Sequence, residues 1–259
     1  MKNLENKVAI ITGGSSSIGG EIAKEMHAQG AKVVIASLND DNNLAGSLGK
    51  NAIFIQTDIT KDDQLDHLVE QTIKQFGGID ILVNNACSYG DEGASTDRTT
   101  WLSTLNVNIV SAAILGEKCR SHLAKNKGAI INIGSISGIF PHIERWSYPV
   151  SKAALMHLTK TQAVEYAADG IRVNMLRLGH VWSDPFAGLT KNDRNHANNA
   201  TAPYNLMGRV ADGVEVGKVA CFVASESASY MTGAEVPVDG GYSAMGPEQH
   251  YSLFPKLAK

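Results

Sequence analysis

Cysteines, long apolar runs and net charge are all scarce in this sequence, and each scarcity excludes a class of protein. Its 259 residues include only three cysteines, Cys87, Cys119 and Cys221. They are odd in number and widely spaced, with no pair at metal-ligand spacing, which predicts free thiols in a reducing compartment. No apolar run approaches the roughly 18 residues that span a bilayer, and the polar start MKNLEN leaves no room for a signal peptide. We therefore expect a cytoplasmic protein without a membrane segment.

The charge balance gives no sign of a polyanionic partner. The chain carries 23 Lys and Arg against 26 Asp and Glu, a formal net charge of -3. This gives no electrostatic reason to expect binding to nucleic acid or to an anionic membrane. Any anion that the protein binds must therefore be held by a local site.

Apolar strand-like runs alternate with helical patterns along the whole chain, which predicts one doubly wound α/β domain over 1–259 with a parallel sheet, as in Rossmann-like folds. The predicted strands are VAIIT, KVVIAS, AIFIQT, IDILVN, AIINIG, IRVNML and EVPV, and the predicted helices cover 18–29, 41–48, 61–76, 99–125, 147–169 and 212–225. The exception is 183–205, which is rich in Asn and lacks apolar periodicity. This segment predicts a long loop or a few short helices that act as a substrate lid.

The segment TGGSSSIGG at 12–20 follows the first predicted strand and precedes a helix. Gly13 suits a tight turn and Gly19 suits close packing of helix on strand, so that the helix N-terminus can bind a pyrophosphate. A plain helix cap by Ser15, Ser16 or Ser17 is the alternative. Four other strands also end in small or polar residues on the same edge of the sheet, which predicts one crevice there: Asp58, Asn84 to Ala86, Gly134 with Ser135, and Leu178 with Gly179.

Tyr148 and Lys152 lie four residues apart and therefore share one face of a helix. An ammonium group about 5 Å from a phenol stabilises the phenolate by about 3 kcal/mol at an effective dielectric near 20. Tyr148 then becomes a usable acid or base near neutral pH. Ser135 ends a strand on the same edge and offers a hydroxyl to a carbonyl oxygen. The three residues together predict an active site, whereas an arbitrary Tyr–Lys pair is usually a surface pair.

In order and spacing, seven motifs along essentially the whole chain resemble the short-chain dehydrogenase/reductase family. They are TGGSSSIG, NNA, NVNIV with Asn108, IINIGS with Ser135, YPVSK, IRVNMLRLG and YMTGAEVPVDGGY. The resemblance implies a nicotinamide cofactor, hydride transfer and a catalytic tetrad of Asn108, Ser135, Tyr148 and Lys152. In this family the tyrosine exchanges a proton with the substrate oxygen, which the serine positions. The lysine holds the cofactor ribose and lowers the tyrosine pKa, and the asparagine fixes a helix bend and a proton-conducting water. A structural Asn108, bonded only to backbone, is the alternative.

The same resemblance implies contacts with cofactor and substrate. Besides Tyr148 and Lys152, the expected cofactor contacts are Gly13, Ser15, Ser17, Ile18, Gly19, Ser37, Asp58, Ile59, Asn85, Ala86, Gly179 and Val181. The expected substrate contacts are Ser137, Arg145 and His180, near His142, Trp146 and Trp182. Arg145 either binds a carboxylate or another acceptor in a bidentate manner, or it is solvated.

Three residues depart from the family pattern. Ser17 replaces a glycine, Cys87 replaces the glycine usual after NNA, and Leu178 replaces the proline usual before Gly179. A positive backbone φ at Ser17 would cost about 1 to 2 kcal/mol and weaken the cofactor site. Ser37 stands where NAD-selective members carry an acid, and Leu38 where NADP-selective members carry arginine. With Asp40 and Asp41 nearby and no cation to neutralise a phosphate, we favour NAD over NADP.

Three functions are compatible with these residues. The first is an oxidoreductase for a small secondary alcohol or ketone, and the second is a catalytically silent nucleotide sensor or scaffold. The third is a 3-ketoacyl reductase for a carrier-bound substrate, with Lys125 and Lys127 meeting an acidic carrier protein. Relatives usually assemble through two helices that here carry surplus apolar residues, which predicts a homotetramer or homodimer: Leu102, Leu105, Ile109, Leu155, Leu158 and Ala163.

Overall fold

Seven strands lie side by side in one parallel sheet, in the order β3-β2-β1-β4-β5-β6-β7. The computed structural model describes residues 3–40, 42–246, 249–252 and 254–257. The strands are β1 (Val8–Thr12), β2 (Lys32–Ser37), β3 (Ala52–Gln56), β4 (Ile81–Asn84), β5 (Ala129–Ser135), β6 (Arg172–Leu178) and β7 (Glu235–Val238). Chain order reverses between β1 and β4, and in such sheets ligands bind at the carboxyl ends of the strands beside the reversal. The predicted doubly wound α/β fold is confirmed.

Helices cover both faces of the sheet. They are α1 (Ser17–Ala28), α2 (Leu44–Leu48), α3 (Asp62–Phe76), α4 (Arg98–Leu105), α5 (Ser111–Asn126), α6 (Ser147–Tyr166), α7 (Asp184–Leu189), α8 (Arg194–Thr201), α9 (Gly213–Ala224) and α10 (Phe254–Leu257). Side chains of α1, α2 and α9 form one core with Ile11 and Ile35. Those of α3, α5 and α6 form the other core with Ile10 and Val34. Neighbouring residues of each strand thus enter opposite cores, as the period of two requires.

Two predicted helices differ from the observed ones. The predicted helix 41–48 begins only at Leu44, whose N–H donates to the Asp40 carboxylate at 3.0 Å. The predicted helix 99–125 consists of α4, a π-helical turn over Asn106–Val110, and α5. In the π turn the Ser111 hydroxyl donates to the Asn106 carbonyl at 2.9 Å. Such turns are frequent at functional sites.

The segment 183–205 contains α7, α8 and a short 3-10 helix over Ala202–Tyr204. The alternative of a few short helices is therefore the correct one. Asp193 accepts a hydrogen bond from the His196 N–H at 2.9 Å and caps α8. A side-chain cap of this kind stabilises the first turn of a short helix whose sequence shows no apolar periodicity.

A buried chain of amides and one hydroxyl runs from β4 through β5 to α6. The Asn84 side-chain amide donates to the Oδ1 atom of Asn132 at 2.8 Å, and the two residues are register partners in the sheet. The Asn132 amide donates in turn to the Thr159 hydroxyl at 2.9 Å and to Gln162 at 3.4 Å. Asn132 and Thr159 are completely inaccessible to solvent. The strand that ends in Ser135 and the helix that carries Tyr148 are thereby joined by polar contacts inside an apolar core.

Among the described residues, none of the helices combines the length and apolar character needed to cross a membrane. All three cysteines are free, as predicted; Cys119 and Cys221 are buried, and Cys87 is half-buried.

Candidate active site

The glycine turn between β1 and α1 is tightly packed against the end of β4. Gly13 has a φ of 62°, in the left-handed region that a tight turn requires. A Cβ atom on Gly19 would lie 2.2 Å from the Gly13 carbonyl oxygen and 2.5 Å from the Asn85 amide nitrogen. Gly19 therefore permits the close approach of helix and turn that its position predicts. Ser16 caps α1, since its hydroxyl accepts from the Gly19 N–H at 3.4 Å.

The NNA motif holds this turn in place. The Asn85 amide donates to the carbonyl oxygens of Thr12 and Gly13 at 3.0 and 3.1 Å. The Thr12 hydroxyl accepts from the backbone N–H groups of Asn85 and Ala86 at 3.0 and 3.1 Å. Thr12 was not among the predicted site residues. Asn85 thus fixes the shape of the turn by bonding to its carbonyl groups.

The expected strain at Ser17 is absent. Ser17 is the first residue of α1 and does not have a positive φ. Its N–H donates to the Asp184 carboxylate at 3.4 Å, and its hydroxyl accepts from the Asp184 N–H at 3.1 Å. The serine therefore joins the N-terminus of α1 to the start of α7 instead of straining the turn. The predicted energetic cost of replacing a glycine here was wrong because the helix begins one residue earlier than that argument assumed.

A cavity of about 530 Å³ lies over the glycine turn. We call it the turn cavity. It is lined by nine of the predicted cofactor residues: Gly13, Ser15, Ser17, Ile18, Ser37, Asp58, Ile59, Asn85 and Ala86. Gly19 packs behind the turn and does not line it. The backbone N–H groups at the start of α1 and this volume fit a dinucleotide whose pyrophosphate lies at the helix N-terminus.

The charges around the turn cavity bear on the choice of cofactor. Asp58 and Asp184 line it, and the described lining contains no Lys or Arg. Hydrogen bonds from the Thr60 hydroxyl and N–H hold the pKa of Asp58 below its usual range. The Ser37 hydroxyl accepts from the Ser15 N–H at 3.1 Å, and Leu38 is 65% exposed. Asp40 is occupied in capping α2 and does not line the cavity; Asp41 lies outside the described residues.

A second cavity, of about 410 Å³, adjoins the first and is lined by Ser135, Tyr148 and Lys152. We call it the tyrosine cavity. The two cavities share six lining residues, Ile18, Asn85, Cys87, Tyr89, Ser183 and Pro185, and are therefore continuous. The predicted cofactor residues Gly179 and Val181 also line the tyrosine cavity, as do the predicted substrate residues Ser137, Arg145 and His180.

Tyr148 and Lys152 approach each other as their spacing predicts. The Lys152 Nζ lies 5.6 Å from the centre of the Tyr148 ring and donates to the Ile133 carbonyl at 2.9 Å. Burial raises the pKa of the Tyr148 phenol, and Cys87 raises it further, whereas a hydrogen bond with Ser135 and the charge of Arg145 lower it. In the chain by itself the phenol pKa therefore lies above its usual value. We predicted that Lys152 lowers the Tyr148 pKa, but in the chain by itself the effect of burial is larger and the pKa is raised.

Asp91 fixes the start of the helix that carries Tyr148. Its buried carboxylate accepts from the Trp146 N–H at 2.7 and 2.9 Å and from the Tyr148 N–H at 2.8 Å. It also accepts from the Gly93 N–H at 3.0 Å and the Thr96 hydroxyl at 3.2 Å. Burial raises the pKa of Asp91, but these donors outweigh burial and hold it below its usual range.

Sequence reasoning missed Asp91, and also Tyr89, whose ring stacks on that of Tyr148 with centroids 5.2 Å apart. The position of both, shortly after NNA, was the available signal.

Asn108 uses its side chain for the protein's own architecture. Its Oδ1 accepts from the Ser88 N–H at 2.7 Å, and its Nδ2 donates to the Ser88 carbonyl at 3.1 Å and the Ser151 hydroxyl at 2.9 Å. It lies in the π turn between α4 and α5, at the place where the resemblance implies a helix bend. A cavity of about 10 Å³ touches both Asn108 and Lys152, at the lower limit for one water molecule.

Two histidines stand beside the predicted substrate residues. His142 and His180 line the tyrosine cavity, and burial lowers the pKa of both. His142 lowers the pKa of His180 further, so the two imidazoles are near each other. Arg145 donates through Nη1 to the Asp91 carbonyl at 3.1 Å while lining the cavity. Trp182 lines neither cavity, and its ring faces the Arg194 guanidinium at 5.1 Å.

The two lysines that we proposed to meet a carrier protein lie at the other end of β5 from the tyrosine cavity. Lys125 and Lys127 precede β5, whereas Ser135 ends it, and a seven-residue strand spans about 20 Å. This placement gives no support to a carrier protein docking at these lysines and reaching the tyrosine cavity.

Of the apolar residues assigned to a subunit contact, Leu155 and Ala163 are buried within the chain, while Leu102 is 61% exposed.

Comparisons with known proteins agree with this geometry. The family model described as enoyl-(acyl carrier protein) reductase matches residues 13–243. The chain is 33% identical over 246 residues to the cis-4-hydroxycyclohexanecarboxylate dehydrogenase of Sinomonas cyclohexanicum, which covers 92% of this chain and 97% of the relative. It is 34% identical over 252 residues to (+)-borneol dehydrogenase 1 of Salvia officinalis, and the match covers 95% of this chain and 97% of the relative. It is 31% identical over 244 residues to the meso-2,3-butanediol dehydrogenase of Serratia marcescens, and the match covers 93% of this chain and 96% of the relative.

Proposed function

The chain belongs to the short-chain dehydrogenase/reductase family, and we propose that it is an NAD-dependent member whose proton-transfer group is Tyr148. It is an oxidoreductase that acts on secondary alcohols or ketones with a nicotinamide cofactor. The observation that carries our proposal is the convergence of Tyr148, Ser135 and Lys152 on a cavity continuous with the one over the glycine turn.

The turn cavity fits a nicotinamide dinucleotide. The N-terminus of α1 is the place for a pyrophosphate, where the Asp184 carboxylate now accepts from the Ser17 N–H, and Gly13 and Gly19 let the turn pack closely against Asn85. Asp58 and Ile59 line the turn cavity, and Gly179 and Val181 line the tyrosine cavity next to Tyr148. Bound along these residues, a nicotinamide would supply the hydride chemistry that interconverts the alcohol and the ketone.

The chain's own residues handle the proton and the oxygen. In ketone reduction the Tyr148 O–H donates its proton to the substrate oxygen, and in alcohol oxidation the phenolate takes that proton back. The Ser135 hydroxyl hydrogen-bonds the same oxygen and holds it against Tyr148. Lys152 places a positive charge beside the ring, which favours the phenolate when it forms. Asn108, through Ser88 and Ser151, holds the loop after β4 against α6.

The choice of NAD rests on charge. The turn cavity offers two carboxylates and, among the described residues, no cation to a ribose phosphate. The extra ribose phosphate of NADP would be repelled by Asp58, whereas the ribose hydroxyls of NAD would not; Asp184, at the N-terminus of α1, acts on the pyrophosphate that both cofactors share. Measured dissociation constants for NADH and NADPH test this preference.

The substrate, we infer, is a small secondary alcohol or its ketone. Relatives are named for dehydrogenation of a hydroxycyclohexanecarboxylate and of a butanediol, and the tyrosine cavity, at about 410 Å³, is of the size that holds small ligands. Apolar walls from Ile136, Leu178 and Phe186 suit a hydrocarbon body next to the reacting oxygen.

The segment 183–205 is proposed as a lid that closes on cofactor and substrate. Its residues Ser183 and Pro185 line both cavities, and Phe186 and Leu189 line the tyrosine cavity. Closure would exclude water from the path of the hydride. Limited proteolysis tests this: cleavage within 183–205 should slow markedly when cofactor and a substrate analogue are added, and unchanged cleavage would refute the lid.

A homodimer or homotetramer is proposed from the apolar surface of α4 to α6. Leu102, Val110, Val150 and Val164 are exposed there, Val164 to 80%. Light scattering that shows a dilute monomer with full activity would exclude this assembly.

The test of the site is a panel of secondary alcohols and ketones, assayed with each cofactor in the wild type and in Tyr148→Phe. The variant keeps the ring and removes the proton donor, so turnover should fall at least about 100-fold while cofactor binding persists. Tyr230→Phe is the control, because Tyr230 is fully exposed and lines neither cavity. Near-normal turnover in Tyr148→Phe would rule out the assignment.

A further inference from the structure

The tyrosine cavity contains a second polar group that the proton transfer does not use. This group consists of His142, His180 and Arg145. The Nε2 atom of His142 and the Nδ1 atom of His180 are buried, and neither finds a hydrogen-bond partner within the described ranges of the chain. Buried polar atoms in proteins almost always have partners. Two ring nitrogens in one cavity that lack a partner among the described residues are therefore available to a molecule that enters the cavity.

Aromatic neighbours pack against the His180 ring, although its Nδ1 atom has no hydrogen-bond partner in the described part of the chain. The ring lies edge-on to Phe186 and Tyr242, with centroids 5.8 and 5.7 Å away. The His180 carbonyl accepts from the Ala211 N–H at 2.8 Å, which fixes the backbone. A side chain that is already ordered loses little conformational freedom when a ligand binds. The imidazole is thus prepared for a polar contact that its apolar neighbours cannot provide.

Arg145 adds a positive charge without an internal counterion. One of its N–H groups donates to the Asp91 carbonyl oxygen. No ion pair within the described ranges includes Arg145, and the Asp91 carboxylate is occupied by backbone donors of α6. A guanidinium has five N–H donors in a planar fork that matches a carboxylate. Most of these donors remain for a ligand.

The charged side chains of the tyrosine cavity favour an anionic ligand group over a neutral one. Its lining includes Arg145 and Lys152 but, among the described residues, no Asp or Glu. Asp184 lines the neighbouring turn cavity instead. A carboxylate that enters therefore meets two cations, two imidazole rings and no acidic side chain. Hydrogen bonds to an ionised acceptor are roughly twice as strong as those between neutral groups.

We propose that His142, His180 and Arg145 bind a carboxylate of the substrate, so that the enzyme acts on secondary alcohols or ketones that also carry an acid group. This inference rests on the proposed function, because it takes Tyr148 as the group that faces the reacting oxygen. The apolar residues of the same cavity, among them Leu178 and Phe186, contact the hydrocarbon that joins the two polar ends of the substrate.

Steady-state kinetics with matched alcohols test the proposal. One set consists of a hydroxycyclohexanecarboxylate, its methyl ester and cyclohexanol, and a second of hydroxybutanoate, its methyl ester and secondary butanol, each with saturating cofactor. In at least one set the acid should exceed its ester in kcat/KM by about tenfold or more, mainly through a lower KM, because the ester lacks the charge. The inference is overturned if the acids of both sets are used no better than their esters.

Variants connect the preference to two of the three residues, His142 and Arg145. In His142→Leu and in Arg145→Met the acid-to-ester ratio of kcat/KM should fall to about one; an effect of the substitution on Tyr148 acts on acid and ester alike and therefore cancels in this ratio. His67→Leu is the matched control, since His67 lies exposed on α3 and lines neither cavity. An unchanged ratio in both variants also overturns the inference. The proposed function fails by a different result, turnover of neutral alcohols that survives Tyr148→Phe.

Discussion

Replacing Asp91 by Asn should separate the positioning of Tyr148 from the binding of cofactor. The carboxylate accepts from Gly93, Thr96, Trp146 and Tyr148, and the Trp146 N–H contacts both of its oxygens. An amide keeps one oxygen and turns an NH₂ group toward donors that then lack an acceptor. Asp91 lines neither cavity, so the dissociation constant for NADH should stay at the wild-type value.

The size of the effect follows from the hydrogen bonds that the amide cannot accept. A hydrogen bond to a charged group contributes about 1.5 to 3 kcal/mol, so removing one or two lowers the free energy of unfolding by about 2 to 5 kcal/mol. For a chain of this length that corresponds to a fall in Tm of roughly 5 to 15 °C. Displacement of the start of α6 moves Tyr148, and kcat should fall by about tenfold or more.

The pH dependence has a definite sign. The folded-state pKa of Asp91 lies below the ordinary value of 3.8. Its stabilising contribution is therefore complete above pH 3.8 and is lost as pH falls through the lower, folded-state pKa. The difference in unfolding free energy between wild type and Asp91→Asn should narrow in that acidic range.

Thermal unfolding, steady-state kinetics and NADH titration are the assays for Asp91→Asn. Asp97→Asn is the control, because Asp97 caps α4 on the protein surface by accepting from the Thr100 N–H at 2.7 Å, and its effects should be much smaller. A wild-type kcat in Asp91→Asn together with a lower Tm would refute the positioning role, and an unchanged Tm would refute the energetic argument.

Charges at the two cavities lead to three further predictions. Leu38→Arg should raise the affinity for NADPH relative to NADH, because a guanidinium pairs with the ribose phosphate; equal ratios in titrations of wild type and variant would contradict the charge argument. Asp184→Asn should tighten NADH binding by about fivefold, since a carboxylate at the N-terminus of α1 competes with the pyrophosphate for a site worth up to about 1 kcal/mol; an unchanged dissociation constant would count against that competition. Because burial raises the pKa of Tyr148, alcohol oxidation should increase with pH over the neutral to alkaline range as the phenolate forms, and a pH profile that falls there would contradict its role as base.

The sheet and the glycine turn could be predicted from sequence because local signals specify them. The β-branched runs of β1, β2 and β5 suit buried strands, and glycines stand at positions where the chain turns sharply or approaches itself. Tyr148 and Lys152 were predictable for a similar reason, since helical spacing alone places them on one face. These are contacts within a few residues of each other, or repeated patterns of one element.

The contacts that were missed join residues far apart in the chain. Asp91 caps a helix that begins more than fifty residues later, and Ser17 bonds to Asp184 across more than one hundred and sixty residues. No spacing rule connects such pairs. The energetic argument at Ser17 failed for a related reason: it assigned a backbone conformation from the type of residue expected there, whereas the cap at Ser16 places Ser17 inside the helix.

The chain of hydrogen bonds from Asn84 through Asn132 to Thr159 also helps to determine the register of β4 and β5 during folding. Parallel strands rich in Ile and Val can slide by two residues and still bury apolar side chains, because alternate positions are nearly equivalent. A slide of β4 against β5 would break the register pairing of Asn84 with Asn132 and take from the Asn84 Nδ2 and the Asn132 Oδ1 the partner that each has in the other, at a cost of about 1 to 3 kcal/mol for each buried group. Misaligned sheets are thereby disfavoured before any substrate is met, and the alignment that survives is the one in which Ser135 ends β5 opposite Tyr148.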